Sequence, residues 1–221
     1  KYPPCNMLKV LYLFDSLKRG GAETSTLEIA GRLKNWTPII LSIYTGTELK
    51  EDFQNKGIKV YSLDVESQYS ISKIKKGIQN VIDTEKPDII HSNLFMADQF
   101  ARFLGPKNDI PVINSFVNDS YSQERLELLS PKEKFTLSIY KYIDRLFAPR
   151  VSQFMSLTQA IIPNNAKALG LDSSEVKVIP RGRNILALRE KVDKEKLREL
   201  KNKYSQGVII LTVSRLLVRK G

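Results

Sequence analysis

Short apolar segments alternate with amphipathic ones along most of this sequence, and the alternation constrains the fold more than any other feature. Continuous apolar runs occupy residues 7–14 and 37–44. Shorter apolar segments follow at residues 59–63, 87–91, 111–114, 154–157 and 176–179. Apolar side chains at helical spacing predict helices within residues 24–33, 70–83 and 101–104. Since strands separated by amphipathic helices are typical of βαβ units, we predict an α/β fold with a Rossmann-like, doubly wound parallel sheet.

A further helix is predicted from Ser130 to Phe147, where Ser130 and Glu133 form a capping box and Pro131 suits the first turn. Its apolar face consists of Phe135, Ile139, Tyr142, Ile143 and Leu146. Further aromatic and basic side chains are Tyr140, Phe147, Lys132, Lys134, Lys141 and Arg145. Two interpretations remain open at this point. The segment is either a core helix with a solvated basic face or a helix that lies at a membrane interface.

The length of the chain indicates more than one domain. Its 221 residues exceed the roughly 150 residues of an average domain. We predict a first domain over residues 1–182, a connector over 183–192 and the beginning of a second Rossmann-like domain over 193–221. In the last segment Asp193 can cap a helix, and residues 207–213 form a buried apolar strand. Because that strand lies so near the last residue, we expect a truncated second domain.

Composition excludes several classes of protein. Cys5 is the single cysteine and His91 the single histidine, which excludes an internal disulfide framework and a Cys/His zinc site. The aliphatic stretch at residues 208–213 is far shorter than the roughly 20 residues of a membrane-spanning helix, and residues 1–12 show no signal peptide. We therefore expect a soluble, cytoplasmic protein.

The formal net charge of +11 is unevenly distributed. Residues 1–180 carry 23 basic and 20 acidic side chains, whereas residues 181–221 carry 12 basic and 4 acidic ones. A nucleic-acid-binding protein should present a broad basic face with stacking aromatic residues. The near balance of the first 180 residues therefore argues against nucleic acid as a partner.

Two candidate sites follow predicted strands, where ligands bind in doubly wound sheets. Gly20 and Gly21 stand between the first strand and its helix, where backbone N–H groups and the helix N-terminus favour a phosphate. The alternative is a plain turn in which Glu23 complements the helix dipole. His91 ends the fourth predicted strand, where its imidazole either acts on a substrate or forms a structural hydrogen bond.

The third candidate site is the basic tail. Arg215 and Lys220 follow the strand at residues 207–213, and two cations there suit a diphosphate. A solvated basic loop is the alternative. The sequence shows neither a nucleophile–base set nor paired carboxylates in one loop, so a glycosidase-like or carboxylate–metal mechanism has no support.

Four motifs occur in a fixed order along the chain. They are GGAE at residues 20–23, HSNLFMADQFAR at 91–102, VIPRG at 178–182, and VSRL followed by KG at 213–221. In this order and spacing, over nearly the whole chain, the sequence resembles the GT-B glycosyltransferases of family 4. Each motif alone is weak, whereas the four together are specific.

The resemblance implies retaining transfer of a sugar from a nucleotide-sugar donor to a glycan or lipid-linked acceptor, with no metal ion and no cofactor. Gly20 and Gly21 would approach the donor phosphates, while Arg215 and Lys220 would hold the diphosphate. His91, the catalytic candidate, would lie near the transferred sugar. The acceptor-binding candidates are Glu23, Asn93 and Asn118. The E-x7-E element of the family is missing from these 221 residues, so we expect no appreciable activity from this chain alone.

Three positions depart from the family pattern. Asn93 stands where the family has the second histidine of an HSH pattern, and Val117 stands where many relatives have a histidine. Arg181 replaces the asparagine of the usual NG turn. These departures leave the acceptor class open. An alternative function is a peripheral module that binds an anionic membrane surface or an acceptor without catalysis.

Overall fold

The computed structural model describes residues 7–67, 69–183, 185–190 and 192–205. Its strands are β1 (Leu8–Phe14), β2 (Trp36–Tyr44), β3 (Lys59–Val65), β4 (Ile89–Asn93), β5 (Val112–Phe116), β6 (Gln153–Ser156) and β7 (Lys177–Val178). They form one sheet in the order β3-β2-β1-β4-β5-β6-β7, and all neighbouring strands are parallel. The predicted doubly wound parallel sheet is therefore confirmed.

Helices connect the strands. They are α1 (Gly21–Ala30), α2 (Lys50–Gln54), α3 (Ile71–Glu85), α4 (Phe95–Lys107), α5 (Gln123–Glu127), α6 (Pro131–Phe147), α7 (Ile162–Leu169), α8 (Ile185–Glu190) and α9 (Lys194–Lys203). The short helices α2, α5 and α7 have no counterpart among the sequence predictions. Helix α8 lies inside the segment for which the sequence predicts an irregular connector. The sequence does not predict this helix because six residues are too few to show a helical period.

Two helix caps form as their sequences predict. The Ser130 hydroxyl accepts a hydrogen bond from the Glu133 backbone N–H, and the Glu133 carboxylate accepts one from the Ser130 N–H at 2.9 Å. At α9 the Asp193 carboxylate accepts from the Lys196 N–H at 3.0 Å. Both caps satisfy N–H groups that the first turn of a helix leaves without an intrahelical partner.

Alternate residues of β1 build two separate apolar clusters on the two faces of the sheet. Leu11 and Leu13 pack with α3 and α4 on one face. Val10, Tyr12 and Phe14 pack with α1 and α2 on the other. Because β1 pairs with β2 on one side and β4 on the other, the chain reverses its winding direction between β1 and β4. That point, at the carboxyl ends of the strands, is where an open α/β sheet forms its binding crevice.

Contacts divide the chain into two compact units, Lys1–Arg181 and Gly182–Gly221. The described part of the second unit contains α8 and α9. Arg215, Lys220 and the strand predicted at residues 207–213 lie outside the described residues, so those predictions stand as they are. The predicted domain limits likewise remain predictions.

The apolar face of α6 is far more exposed than expected for a core helix. Phe135 is 68% exposed, Ile139 47%, Tyr142 71% and Leu146 59%. Within α6, all of which the structure describes, only Asp144 is buried. The helix packs against α4 and α7 and leaves this face without a cover from the described residues. None of the helices described is both long and apolar enough to cross a membrane.

Candidate functional site

The crevice between β1 and β4 brings together several of the residues predicted from the sequence. The loop after β1 leads to Gly20 and Gly21 at the start of α1, and β4 carries His91 and Asn93. Arg181, which follows β7, also reaches this point. Three separate segments of the chain thus meet at the carboxyl edge of the sheet.

Gly20 and Gly21 have different surroundings. Gly20 is the N-cap of α1 in an extended conformation, and a Cβ there would lie 2.3 Å from Oε2 of Glu23. The Glu23 side chain is buried, so its carboxylate packs against Gly20 within the same turn. A Cβ on Gly21 would meet nothing within 4 Å. Gly20 therefore leaves room for Glu23, whereas Gly21 borders open space through which a ligand can approach the α1 N-terminus.

His91 has contacts with both strands that neighbour β4. Its Nε2 lies 2.7 Å from the Ser115 hydroxyl, and its ring lies 5.2 Å from the ring of Tyr12. Burial, and then the positive charge of Arg181, lower the pKa of His91 to about 4. The imidazole is consequently neutral at pH 7 and suited to hydrogen bonding with a hydroxyl group. Strand β4 continues two residues beyond His91, where the sequence predicts its end.

Arg181 links the first residue of α1 to the last residue of β4. Its Nη1 donates to the Gly21 carbonyl oxygen at 3.2 Å, and its Nη2 donates to Oδ1 of Asn93 at 3.3 Å. Asn93 is only 1% exposed, and its Nδ2 has no hydrogen-bond partner among the residues the structure describes. The sequence marks Arg181 only as a departure from the family pattern. Its place in the crevice follows from the path of the chain after β7.

Asp15 is a crevice residue for which the sequence prediction had no role. It directly follows β1, and its Oδ1 accepts a hydrogen bond from the Ala97 N–H at 2.7 Å. Burial raises the pKa of Asp15 to about 6, against the effect of that backbone hydrogen bond. An acidic residue immediately after the first buried strand is the signal that could have found it, because that position faces the carboxyl edge.

The second half of the 91–102 motif forms a buried polar network below the crevice. The Ser92 hydroxyl donates to Asp98 Oδ1 at 2.6 Å and accepts from Asn114 Nδ2 at 2.5 Å. Arg102 Nε donates to Asn114 Oδ1 at 2.6 Å, and its Nη1 lies 2.5 Å from Asp144 Oδ1. These hydrogen bonds tie β4, β5, α4 and α6 together, so the spacing of Ser92, Asp98 and Arg102 in this motif serves the fold.

Burial is also the largest influence on the pKa values of the carboxyl groups in this network. It raises the pKa of Asp98 to about 7, although Arg102 acts in the opposite direction. It raises the pKa of Asp144 as well, against the Arg102 charge and the hydrogen bond that Tyr121 donates. The network therefore contains carboxyl groups that are costly to ionise.

The predicted acceptor-binding residues do not form one surface. Glu23 and Asn93 are buried, at 7% and 1% exposure. Asn118 is exposed in the loop after β5, and its carbonyl oxygen accepts from Asn165 Nδ2 at 3.1 Å. Across the described ranges, no group of three histidine, cysteine, aspartate or glutamate side chains could hold a metal ion.

Comparison with known proteins identifies the family. The model of Glycosyltransferase Family 4 matches residues 19–185, which include the first three motifs. The chain belongs to glycosyltransferase family 4. No curated protein sequence matches it at a significant level.

Solved structures share the fold of this family 4 chain. HepE from Anabaena, solved in complex with UDP and glucose, has 20% identity and a TM-score of 0.68, covering 90% of this chain and 50% of its own. A glycosyltransferase from Rickettsia africae has 20% identity and a TM-score of 0.61, with the same coverage. MurG from Acinetobacter baumannii has 14% identity and a TM-score of 0.55, covering 81% and 47%. The chain thus spans about half the length of these structures.

Proposed function

We propose that the protein containing this chain transfers a sugar from a nucleotide-diphosphate donor to a glycan or lipid-linked acceptor, with retention of configuration. The observation that carries the proposal is the convergence of the α1 N-terminus, His91 and Arg181 at the carboxyl edge of a family 4 domain. HepE, which shares the fold, is solved with UDP and glucose, which are the two halves of such a donor.

The residues at the crevice must stabilise the charge that develops during sugar transfer. When the bond between sugar and diphosphate breaks, negative charge accumulates on the departing diphosphate, and preorganised donors stabilise it. The backbone N–H groups at Gly20 and Gly21 supply such donors, and we assign Arg215 and Lys220 to the same charge from the other domain. With these cations, no metal ion or cofactor is required.

His91 binds a hydroxyl of the transferred sugar or the acceptor in this proposal. Because its imidazole is neutral at pH 7, it can donate or accept a hydrogen bond at the ring nitrogen that faces the substrate. No side chain is assigned as a general base. His91 is therefore a contact to the reacting sugar, in agreement with its place at the crevice.

Transfer assays on two proteins test this function. One is the 221-residue chain, and the other is a longer chain that continues through a second nucleotide-binding domain. With UDP- and GDP-sugars, we expect donor binding by calorimetry and sugar transfer from the longer protein only, with activity retained in EDTA. Transfer by the 221 residues alone would contradict the expectation that they are inactive. If the longer protein binds no nucleotide sugar, the proposed function is wrong.

The exposed face of α6 favours a second function, association with an anionic membrane surface. Phe135, Ile139, Tyr142 and Leu146 form an exposed apolar stripe. Next to it, α3, α4 and α6 line an apolar groove of about 250 Å³. The neighbouring basic residues of α6 are Lys132, Lys134, Lys141 and Arg145. An apolar stripe flanked by cations suits the headgroup region of an anionic bilayer.

Sedimentation with liposomes tests membrane association at low salt. We expect binding to vesicles that contain anionic lipid and loss of binding when Phe135 and Tyr142 are both changed to serine. The matched control is Leu128→Ser, which removes an apolar side chain that is 52% exposed outside α6. Equal sedimentation of the double variant and the control would exclude the α6 stripe as the membrane contact.

A further inference from the structure

We infer that the apolar groove between α3, α4 and α6 holds the hydrocarbon chain of a lipid-linked acceptor, while the polar part of that acceptor lies in the crevice. The identity of the ligand as an acceptor rests on the proposed function, whereas chain binding rests on the geometry of the groove. Of the two acceptor classes in the proposed function, the inference selects the lipid-linked one and gives its chain a site within the first unit.

The groove has the size and the lining of a site for a single chain. Its volume is about 250 Å³, below the roughly 300–1,000 Å³ of pockets that enclose a drug-sized molecule. Two lining residues are polar: Gln99 donates to the Asp144 carboxylate, and Lys75 places its Nζ 4.3 Å from the centre of the Phe103 ring. The other lining side chains are apolar or aromatic, namely Ile71, Met96, Phe100, Phe103, Tyr140 and Ile143. A sugar ring would find few hydrogen-bond partners here, whereas a hydrocarbon chain needs none.

One end of the groove lies at the crevice. Ile71 is the first residue of α3 and Met96 the second residue of α4, and both helices follow strands that end at the carboxyl edge of the sheet. Next to Met96, the Ala97 N–H donates to Oδ1 of the crevice residue Asp15 at 2.7 Å. The first turn of α4 therefore belongs to both the groove and the crevice. A ligand can place its polar part beside Asp15 and extend its chain past Met96.

The groove also adjoins the exposed apolar stripe of α6. Ile143 lines the groove, and its neighbour Tyr142 belongs to the stripe. Groove and stripe are therefore adjacent parts of one apolar surface on this helix. A chain that leaves a bilayer at the stripe can enter the groove along α6.

Positive charge surrounds the groove and complements an anionic lipid. Residues 67–82, which include most of α3, contain three lysines and no acidic residue. The two acidic residues of α6 are Glu133, in the capping box, and Asp144, which is buried and paired with Arg102. The basic residues of the two helices nearest the groove are Lys73, Lys75, Lys76, Lys141 and Arg145. A lipid that carries its sugar through phosphate is anionic, so these cations favour it over a neutral apolar ligand.

Binding of single-chain amphiphiles to the 221-residue chain tests the groove. The probes are octyl, nonyl and decyl phosphate, each below its critical micelle concentration, and calorimetry gives their dissociation constants. We expect the affinity to rise about two- to fourfold with each added methylene, because every methylene group that leaves water adds a similar gain in free energy.

Methyl NMR locates the bound chain. The protein has three methionines, of which Met96 lines the groove and Met155 lies in β6. We expect decyl phosphate to shift the methyl signal of Met96 and to leave that of Met155 unchanged.

We expect Ile143→Trp to weaken decyl phosphate binding about tenfold or more, because the larger side chain fills the groove. The matched control is Ile139→Trp, the same change one turn earlier on α6, where the residue is 47% exposed and does not line the groove. Ile71→Ser changes the opposite wall at a residue that is 48% exposed, so the fold should be retained while binding weakens about threefold. Loss of Phe135 and Tyr142 from the stripe should not weaken binding of these monomeric probes.

The KM for the acceptor tests whether the chain belongs to the acceptor. The probes for the longer protein are the methyl and decyl glycosides of the sugar that it accepts. Ile143→Trp should raise the KM about tenfold for the decyl glycoside only, with the KM for the donor unchanged. An equal rise for both glycosides would contradict the acceptor assignment.

Three results on the 221-residue chain would overturn the inference. They are an affinity that does not depend on chain length, a Met96 methyl signal that does not move at saturating decyl phosphate, and equal binding by the Ile143→Trp and Ile139→Trp variants. These assays contain no sugar donor, so their failure leaves the transferase proposal intact. Conversely, an absence of sugar transfer by the longer protein would leave the groove as a chain-binding site and remove only its link to an acceptor.

Discussion

The 91–102 motif places side chains on both faces of β4, and the two faces have different roles. His91 and Asn93 point toward the crevice, where they meet Ser115 and Arg181. Ser92 points to the other face and enters the buried network of Asp98 and Arg102. Successive side chains of a strand point to opposite faces of the sheet, so adjacent residues of the motif lie in different environments. The motif therefore combines residues that face the crevice with residues that hold the sheet to α4.

The two faces also differ in how burial affects titration. On the crevice side, burial lowers the pKa of His91 to about 4. On the network side, burial raises the pKa of Asp98 to about 7. In both cases the neutral form is favoured, because burial penalises charge. Lowering the pH should therefore reduce the free energy of unfolding through His91 and increase it through Asp98. The following variants separate these two contributions.

The largest effect is expected from Arg102→Met. The change leaves the buried Asp144 carboxylate without its ion-pair partner and Asn114 without a donor, and removal of one member of a buried ion pair costs about 3–5 kcal/mol. Urea unfolding would measure the loss. The control is Arg150→Met, since Arg150 is exposed and contacts only the face of the Phe147 ring in the described contacts. A stability loss as small as that of the control would show that the network does not hold α6 to the sheet.

Asp98→Asn tests the titration of the network face. The pKa of Asp98 is raised to about 7 in the folded chain from 3.8, so its protonated form stabilises the fold at low pH. That contribution is complete below about pH 4 and is lost as the pH rises to about 7. The asparagine variant should therefore gain stability relative to the unchanged chain over this range, by up to about 4 kcal/mol. Parallel pH–stability curves for the two proteins would contradict the assignment.

His91→Gln tests the crevice face, where the pH dependence of stability has the opposite sign. The pKa of His91 falls to about 4 on folding from 6.5, so its contribution is complete above about pH 6.5 and is lost as the pH falls toward 4. The variant should lose less stability than the unchanged chain over this range, by up to about 3 kcal/mol. At pH 7.5 we expect a loss of only about 1 kcal/mol from the Ser115 hydrogen bond. In the longer protein, kcat/KM should fall at least about tenfold.

The smallest effects are expected from the two glycines of the first turn. Gly20→Ala should cost about 1 kcal/mol, because its Cβ would displace the buried Glu23 carboxylate. Gly21→Ala should leave stability unchanged or slightly improved, because alanine favours a helix and its Cβ meets no atom. Thermal unfolding measures both. In the longer protein Gly21→Ala should raise the KM for the nucleotide sugar. The reverse order of stabilities would contradict the different roles assigned to the two glycines.

Most of the fold could be predicted from the sequence because its signals are local. The apolar runs of β1 and β2, the period of α3 and the capping box of α6 all appear in consecutive residues. The exposure of α6 could not be predicted in this way. An apolar stripe at helical spacing has the same pattern whether it packs in a core or faces outward, and only neighbouring elements decide between these two cases.

The candidate site divides along the same line. Gly21 and His91 could be predicted because the first lies after strand β1 and the second lies near the carboxyl end of β4, and the carboxyl ends of parallel strands share one edge. Arg181 could not, since its partner Gly21 is 160 positions away. Its approach depends on the strand order of the whole sheet and on the segment that returns from β7.

By itself, the sequence determined the order of the strands and of the longer helices, and the family, because these depend on short-range periodicity and spacing. It also predicts the edge of the sheet at which a ligand would bind. Only the tertiary structure decided which residues of the 91–102 motif face the crevice and which are buried with Asn114 and Asp144. It also decided that Arg181 and Asn93 meet. The physical reason is that burial and pairing of charged groups depend on which distant segments the sheet brings together.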